Sequence, residues 1–99
     1  MNTRIKKVVL HSHSGYDAKH DDLLQQLIAE KVLLFCTIGQ DCELWHDVMD
    51  ELYVGSGAEK DFLMIITFHL DESLDEVIEF TKDFEFDGID NSLFEVIEI

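Results

Sequence analysis

Three of the five histidines follow the ends of two apolar segments that we predict to be β-strands. His11 and His13 follow the first segment, and His69 follows the third, two residues before Asp71. Because residues two apart on a strand face the same way, His11 and His13 can converge, and imidazole with carboxylate suits zinc or another divalent transition ion. The candidate metal ligands are His11, His13 and His69. The chain lacks H-x-x-x-H and H-E-x-x-H spacing, so we favour hydrogen-bonded histidines and expect no metal and no cofactor.

The loop after the first strand carries hydroxyl groups and a glycine that could surround a small anion. Its sequence Ser12-His13-Ser14-Gly15 resembles the hydroxyl-rich phosphate loop of flavodoxins, and the resemblance implies an anion site. Asp17, Asp21 and Asp22 crowd the same predicted helix start and repel an anion, so helix capping is the simpler role for this loop. The candidate ligand-binding residues at this edge are Ser12, His13, Ser14, Gly15, Tyr16, His69 and Asp71.

Cys42 lies where a second helix is predicted to begin, and the N-terminal end of a helix favours a thiolate. His46 follows one turn later and could act as its base. Three neighbouring acids disfavour a thiolate, so we predict an inert thiol at Cys42 and a core side chain at Cys36. No phosphate-loop, dinucleotide-binding or nucleophile-elbow motif occurs in the chain, and we lean against an enzyme.

Four apolar segments alternate with three helical patterns along the chain. We predict strands over residues 5–10, 32–38, 62–68 and 93–99. The second and third are continuously apolar, which is typical of parallel strands covered on both faces. Strand four carries Glu95 and Glu98 on opposite faces, so at least one acid points outward, which suits an edge. Helices are predicted to begin after Asp17, Asp41 and Ser73, the last with a capping box that Glu76 completes.

This alternation predicts one α/β domain over residues 1–99, a small three-layer sandwich of the order β-α-β-α-β-α-β with a four-stranded, mostly parallel sheet. Right-handed crossovers favour the strand order 2-1-3-4, by analogy with doubly wound folds. The expected ligand position is then the crevice at the carboxyl ends of strands one and three. Strand one followed by Ser-Gly-Tyr-Asp, together with Trp45, is similar to the opening of TIR-like domains, a resemblance that implies the fold alone.

The chain is strongly acidic, and the acids are concentrated near its end. Its 99 residues include 7 basic and 22 acidic side chains, a formal net charge of −15 at pH 7. This charge excludes direct binding to nucleic-acid phosphates. From residue 71 onward Lys82 is the only basic residue, and acids at three-and-four spacing form a stripe on the third predicted helix. The candidate partner-binding residues are Glu72, Glu76, Glu79, Asp83, Phe84 and Phe86.

Two functions fit these features. The one we favour is a non-enzymatic protein-interaction module, comparable in charge and size to inhibitor and immunity proteins, whose acidic C-terminal third binds a basic protein. The other is a small-ligand or metal-binding Rossmann-like domain with its site at the ends of strands one and three. We expect a monomer, or a homodimer that pairs through the edge strand. The cysteine spacing, and the lack of a signal peptide or an apolar span, predict a cytoplasmic protein.

Overall fold

Strands and helices alternate through residues 5–99, the part of the chain that the computed structural model describes; residues 1–4 of the predicted domain lie outside it. The strands are β1 (Lys7–Ser12), β2 (Leu34–Gly39), β3 (Ile65–His69) and β4 (Glu95–Glu98). The helices are α1 (Asp21–Ala29), α2 (Cys42–Gly55) and α3 (Leu74–Asp83), with short 3-10 helices at Ala18–His20 and Ala58–Lys60. The predicted fold class, a small α/β domain with four strands and three helices, is confirmed.

The four strands form one parallel sheet in the order β3-β2-β1-β4. The predicted order 2-1-3-4 is wrong, because β3 pairs with β2 and β4 pairs with β1. Burial explains the difference. The side chains of β2 are buried from Leu34 to Ile38, whereas β3 leaves Phe68 38% exposed. The more completely apolar strand therefore takes a central position, and β3 takes one edge. Strand four lies at the other edge.

Helices cover both faces of the sheet, as continuously apolar strands predict. On one face, α1 and α2 pack against alternate residues of β1 around Trp45, which is fully buried. On the other face, Val77 of α3 packs against Val9 of β1 and against the β2 side chains that point to this face. Cys36 is one of these side chains, and it is buried as predicted. Burial raises the pKa of the Cys36 thiol. Two cores of unequal size thus sandwich the sheet.

A buried lysine joins the start of β1 to the end of α3. The Lys7 side chain is inaccessible to solvent, and its ammonium donates to the carbonyl oxygens of Thr81 and Asn91, each at 3.0 Å. Desolvation lowers the pKa of Lys7. Because Thr81 lies in the last turn of α3, the ammonium satisfies a helix-terminal carbonyl and meets the negative end of the helix dipole.

The predicted helix starts differ in how closely the structure follows them. Ser73 and Glu76 form the predicted capping box at the start of α3. Asp17 caps the 3-10 helix before α1 by accepting from the Lys19 amide at 2.9 Å, and it does not cap α1 itself. Asp41 precedes α2 with a left-handed φ of 61° and makes no capping bond there. Its carboxylate accepts instead from the Tyr16 amide, in the loop that follows β1.

Candidate functional site

A pocket of about 410 Å³ opens at the carboxyl edge of the sheet, beside the N-terminus of α3. His11 of β1 lines it, together with His69 at the end of β3 and Asp71, which follows that strand. These residues reach one pocket although β2 lies between their strands, because the carboxyl ends of all parallel strands meet at the same edge. The edge of the sheet that the sequence indicated is therefore the edge where this pocket lies. The predicted adjacency of strands one and three is not what forms it.

A larger groove lies between the C-terminal ends of α1 and α2. Its volume is about 660 Å³, and its lining comprises Gln25, Ile28, Ala29, Glu51, Leu52, Gly55 and Ser56. The lining offers a single carboxylate and no histidine or cysteine. Several titratable side chains converge instead at the carboxyl edge of the sheet, which makes that edge the candidate functional site.

His69 lies in the wall of the 410 Å³ pocket with both ring nitrogens engaged. Its Nδ1 lies 2.8 Å from Glu72 Oε2, and its Nε2 lies 2.8 Å from Thr67 Oγ1. The order carboxylate, imidazole, hydroxyl is that of a catalytic triad. The ring, however, is only 7% exposed and packs against Phe80 at a centroid distance of 5.0 Å. These contacts fix the ring and the turn after β3, and they keep His69 out of any cluster with His11 and His13.

His11 and His13 converge on a carboxylate that the sequence did not connect with them, that of Glu98. His11 Nδ1 lies 2.9 Å from Glu98 Oε2, and His13 Nε2 lies 2.6 Å from the same oxygen. The two imidazole rings lie 4.1 Å apart. The hydrogen bond from His13, followed by that from His11, lowers the pKa of Glu98. Of the three metal candidates, the structure thus groups two, and Glu98 completes the set in place of His69.

Among the residues considered for an anion site, Ser12 has a structural role. Its side chain is buried, and its hydroxyl accepts from the Gly15 amide at 3.1 Å and from Trp45 Nε1 at 3.0 Å. Gly15 is also buried and has a φ of +88°, which favours glycine. His13 and Ser14 are exposed. The Ser12 hydroxyl, a candidate contact for an anion, is therefore occupied in holding β1 to α2.

Tyr16 completes the loop, and its amide and hydroxyl both donate to carboxylates. Its amide donates to Asp41 Oδ2 at 3.0 Å, and its hydroxyl donates to Asp21. The hydrogen bond to Asp21 is the main cause that raises the pKa of Tyr16 to about 12. Two carboxylates thus border the loop, and they oppose the anion site implied by the resemblance to flavodoxins.

Cys42 and His46 do not form a nucleophile–base pair. Cys42 is buried, with its sulfur 3.9 Å from the His69 carbonyl oxygen. His46 instead pairs with Asp47 at 2.9 Å and packs against Phe68. The sulfur and the imidazole meet different partners, which agrees with an inert thiol.

The acidic stripe on α3 lies beside an aromatic residue that is not among the predicted partner-binding residues. Phe80 is 37% exposed and lies one turn after Glu76. The predicted anchors Phe84 and Phe86 are half-buried and pack against the core beneath α3, so they are less available to a partner than Phe80. The signal for Phe80 was present in the spacing, since positions 76, 80 and 83 share one helix face. Leu70, which is 59% exposed, lies near the other end of α3.

The candidate acids also have local partners. Glu72 pairs with His69, Glu76 accepts from the Ser73 amide at 3.2 Å, and Glu79 lies 3.6 Å from Lys82. Asp83 is exposed at the end of the helix. Since such exposed contacts contribute little energy, the acids stay available to a partner.

Comparisons with known proteins give a family and no nearer relative. Among residues 5–99, no helix has the length and apolar character needed to cross a membrane. Neither a curated protein nor a solved structure matches the chain. A family model described as "Domain of unknown function (DUF7684)" matches residues 1–93, and the chain therefore belongs to this family.

Proposed function

We propose that this domain is a non-enzymatic protein-interaction module that binds a basic protein through α3. The face concerned, called the α3 acidic face below, consists of Glu72, Glu76, Glu79, Phe80 and Asp83. The observation that carries the proposal is the partly exposed aromatic ring of Phe80 beside a stripe of carboxylates on the same helix. An apolar anchor next to charged side chains is the composition expected of a contact surface.

Charge supports a basic partner. Lys82 is the only basic side chain from residue 71 to the end of the chain, and the net charge of the whole chain is −15. A field of one sign attracts a partner of opposite sign over a distance set by the salt concentration, which raises the association rate. The same field repels nucleic acids and other acidic surfaces, so it also selects the class of partner.

The ring of Phe80 is held in place before any partner arrives. It packs edge-on against His69 at 5.0 Å and against Phe84 at 5.8 Å. His69 is in turn fixed by Thr67 and Glu72. A side chain that is already ordered loses little entropy on binding, so its contact area contributes more to affinity.

The other expectations about partners and location remain part of this proposal. We propose a monomer in the cytoplasm, with pairing of β4 edges in a homodimer as the alternative. In such a homodimer, Glu95 and Glu98 of β4 would bring like charges together across the new strand pair. This repulsion favours the monomer.

The test compares charge reversals on two faces. Immobilised wild-type protein, a Glu76→Lys/Glu79→Lys variant and a Phe80→Ala variant are exposed to native lysate at low salt. The control is Asp50→Lys/Glu51→Lys, which changes the charge equally on exposed positions of α2. A captured protein is then purified, and its dissociation constant is measured against each variant.

We expect a basic partner whose affinity falls at least about tenfold in both α3 variants, and falls again between about 50 and 500 mM salt. The α2 control should bind as wild type does. A partner that binds all four proteins equally, or whose affinity ignores salt, contradicts the proposal.

A second candidate function is the binding of a small ligand in the 410 Å³ pocket. Its volume falls within the range of about 300–1,000 Å³ usual for ligand sites, and His11, His69 and Asp71 provide polar contacts in its wall. Screening small carboxylates and amines by NMR tests it. A binder should shift the imidazole signals of His11 and His69, whereas a screen with no shifts at either ring counts against the pocket.

A further inference from the structure

A second cluster lies apart from the α3 acidic face, at the seam between β1 and β4. It comprises His11 in β1, His13 one residue past the end of β1, and Glu98 at the end of β4. We propose that this cluster binds one divalent transition-metal ion through the two imidazoles and the carboxylate. The proposal does not depend on a protein partner or on occupancy of the pocket.

The ligand atoms are already close enough to share an ion. One nitrogen from each histidine and a carboxylate oxygen all lie within 4.8 Å of one another. With metal–ligand distances of about 2.0–2.1 Å, a tetrahedral site separates its ligand atoms by about 3.3 Å. The contacts of Glu98 with His11 and His13, at 2.9 and 2.6 Å, need only open slightly to admit the ion. Such a change needs side-chain rotation without a shift of the strands.

The backbone holds these side chains in register. His11 pairs directly with Glu98 in the parallel ladder of β1 and β4. The ladder continues past the strands, because the Ile99 amide donates to the His11 carbonyl at 3.0 Å and the His13 amide donates to the Ile99 carbonyl at 2.7 Å. His11 and Glu98 lie on paired strands, which position ligands more precisely than loops do.

The seam is also where the chain changes its direction of winding. From β1 the chain proceeds to β2 and β3 on one side, and β4 then returns to the opposite side of β1. In open α/β sheets the crevice at such a switch point is the usual ligand position. The strand order in the structure thus moves this position from between strands one and three to between β1 and β4.

Ligand chemistry indicates the class of ion. Two imidazole nitrogens and one carboxylate oxygen suit zinc, nickel and related ions, whereas magnesium and calcium prefer oxygen ligands alone. His13 and Glu98 are 60% and 51% exposed, so water or another ligand can fill the remaining coordination positions. The charge of −15 raises the local concentration of cations.

The histidine–carboxylate pair on α2 provides a matched control. His46 Nδ1 lies 2.9 Å from Asp47 Oδ1, a contact similar to those at the seam. That pair has one imidazole where the seam has two. If zinc bound weakly to any histidine beside a carboxylate, substitutions at His46 and at the seam would both weaken Zn²⁺ binding. If the seam is a specific site, only substitutions at the seam would weaken it.

The experiment titrates the full chain with Zn²⁺, Ni²⁺ and Mg²⁺ by isothermal calorimetry at neutral pH. We expect one Zn²⁺ or Ni²⁺ per chain and no comparable heat with Mg²⁺. His13→Ala and Glu98→Gln should each weaken Zn²⁺ binding at least about tenfold, and His46→Ala should leave it unchanged. Circular dichroism establishes that each variant is folded, and the exposure of His13 makes His13→Ala the variant least disturbing to the core.

Two results would overturn the proposal. One is a native chain that binds neither Zn²⁺ nor Ni²⁺. The other is Zn²⁺ binding that His46→Ala weakens as much as His13→Ala does. Neither result bears on the α3 acidic face, whose test measures a protein partner in the absence of added metal.

Discussion

The indole N–H of Trp45 donates to the Ser12 hydroxyl at 3.0 Å, at the point where β1 ends against α2. The same oxygen accepts from the Gly15 amide at 3.1 Å. Ser12 and Trp45 are both nearly inaccessible to solvent. One buried hydroxyl therefore satisfies a helix side chain and a loop amide, and it sets the course of the chain after β1.

Replacing Ser12 by Ala should destabilise the protein. The Trp45 and Gly15 N–H groups would lose their acceptor in a buried place, which costs about 1–3 kcal/mol in the free energy of unfolding. Urea unfolding followed by the fluorescence of Trp45, the only tryptophan, measures the change. Ser14→Ala is the control, since Ser14 is exposed and its loss should cost less than about 0.5 kcal/mol. Equal effects of the two substitutions would show that the Ser12 hydrogen bonds carry no net stability.

Replacing Lys7 by Met should also destabilise the fold, although Met is apolar and of similar length. The carbonyls of Thr81 and Asn91 would lose a charged donor, at a cost of about 1.5–3 kcal/mol. Lys60→Met, at an exposed position, should have little effect. If Lys7→Met matches or exceeds wild-type stability, desolvation of the ammonium outweighs its hydrogen bonds.

The stability of the folded protein should fall at high pH because of Tyr16. Its pKa of about 12 in the folded chain exceeds the ordinary value of 10.0, so the folded state holds this proton more tightly than the unfolded state does. The resulting stability is complete below pH 10 and is lost as the pH rises through about 12. Ultraviolet titration of tyrosinate should show late titration of the Tyr16 hydroxyl, and Asp21→Asn should bring its pKa back toward 10.0 by removing the main cause. A titration unchanged by Asp21→Asn would show that Asp21 does not set this pKa.

Gly39 should tolerate substitution less well than Gly88. Both have left-handed φ angles, +94° and +82°, so alanine strains the backbone at either position. A Cβ at Gly39 would lie 2.2 Å from the Ser12 carbonyl oxygen, whereas a Cβ at Gly88 meets nothing within 4 Å. We expect Gly88→Ala to cost about 1–2 kcal/mol and Gly39→Ala clearly more, because β1 must move. Thermal unfolding of the two variants measures these losses of stability. Equal losses in Gly39→Ala and Gly88→Ala would contradict the steric argument.

Much of the fold follows from local sequence patterns. The continuously apolar β2 and the capping box at Ser73 predict a parallel sheet and the start of α3, because each depends on residues close together in the chain. Strand order depends instead on contacts between segments that are far apart in the chain, and the burial of each strand decides it. The exposure of Phe68 at the β3 edge is a property of the folded sheet that its apolar sequence does not reveal.

The candidate site was likewise predictable only where it depends on local sequence patterns. The position of His11 and His13 at the carboxyl edge follows from strand alternation. Their partner Glu98 does not, because it depends on β4 lying beside β1. His69 reaches the same edge but is occupied locally by Glu72, a partner three residues away that the sequence could have suggested.

The pairing of β1 with β4 has a consequence for folding. Strands β1, β2 and β3 can join in chain order, whereas the contact of His11 with Glu98 closes a separation of 87 residues. Because so long a loop costs more entropy to close, and β4 has only four residues, its amides should exchange with solvent through local opening sooner than those of β1 and β2. An ion held by His11, His13 and Glu98 would bind only the closed form and selectively slow exchange in β4. Metal binding and the docking of the last strand would then be one equilibrium.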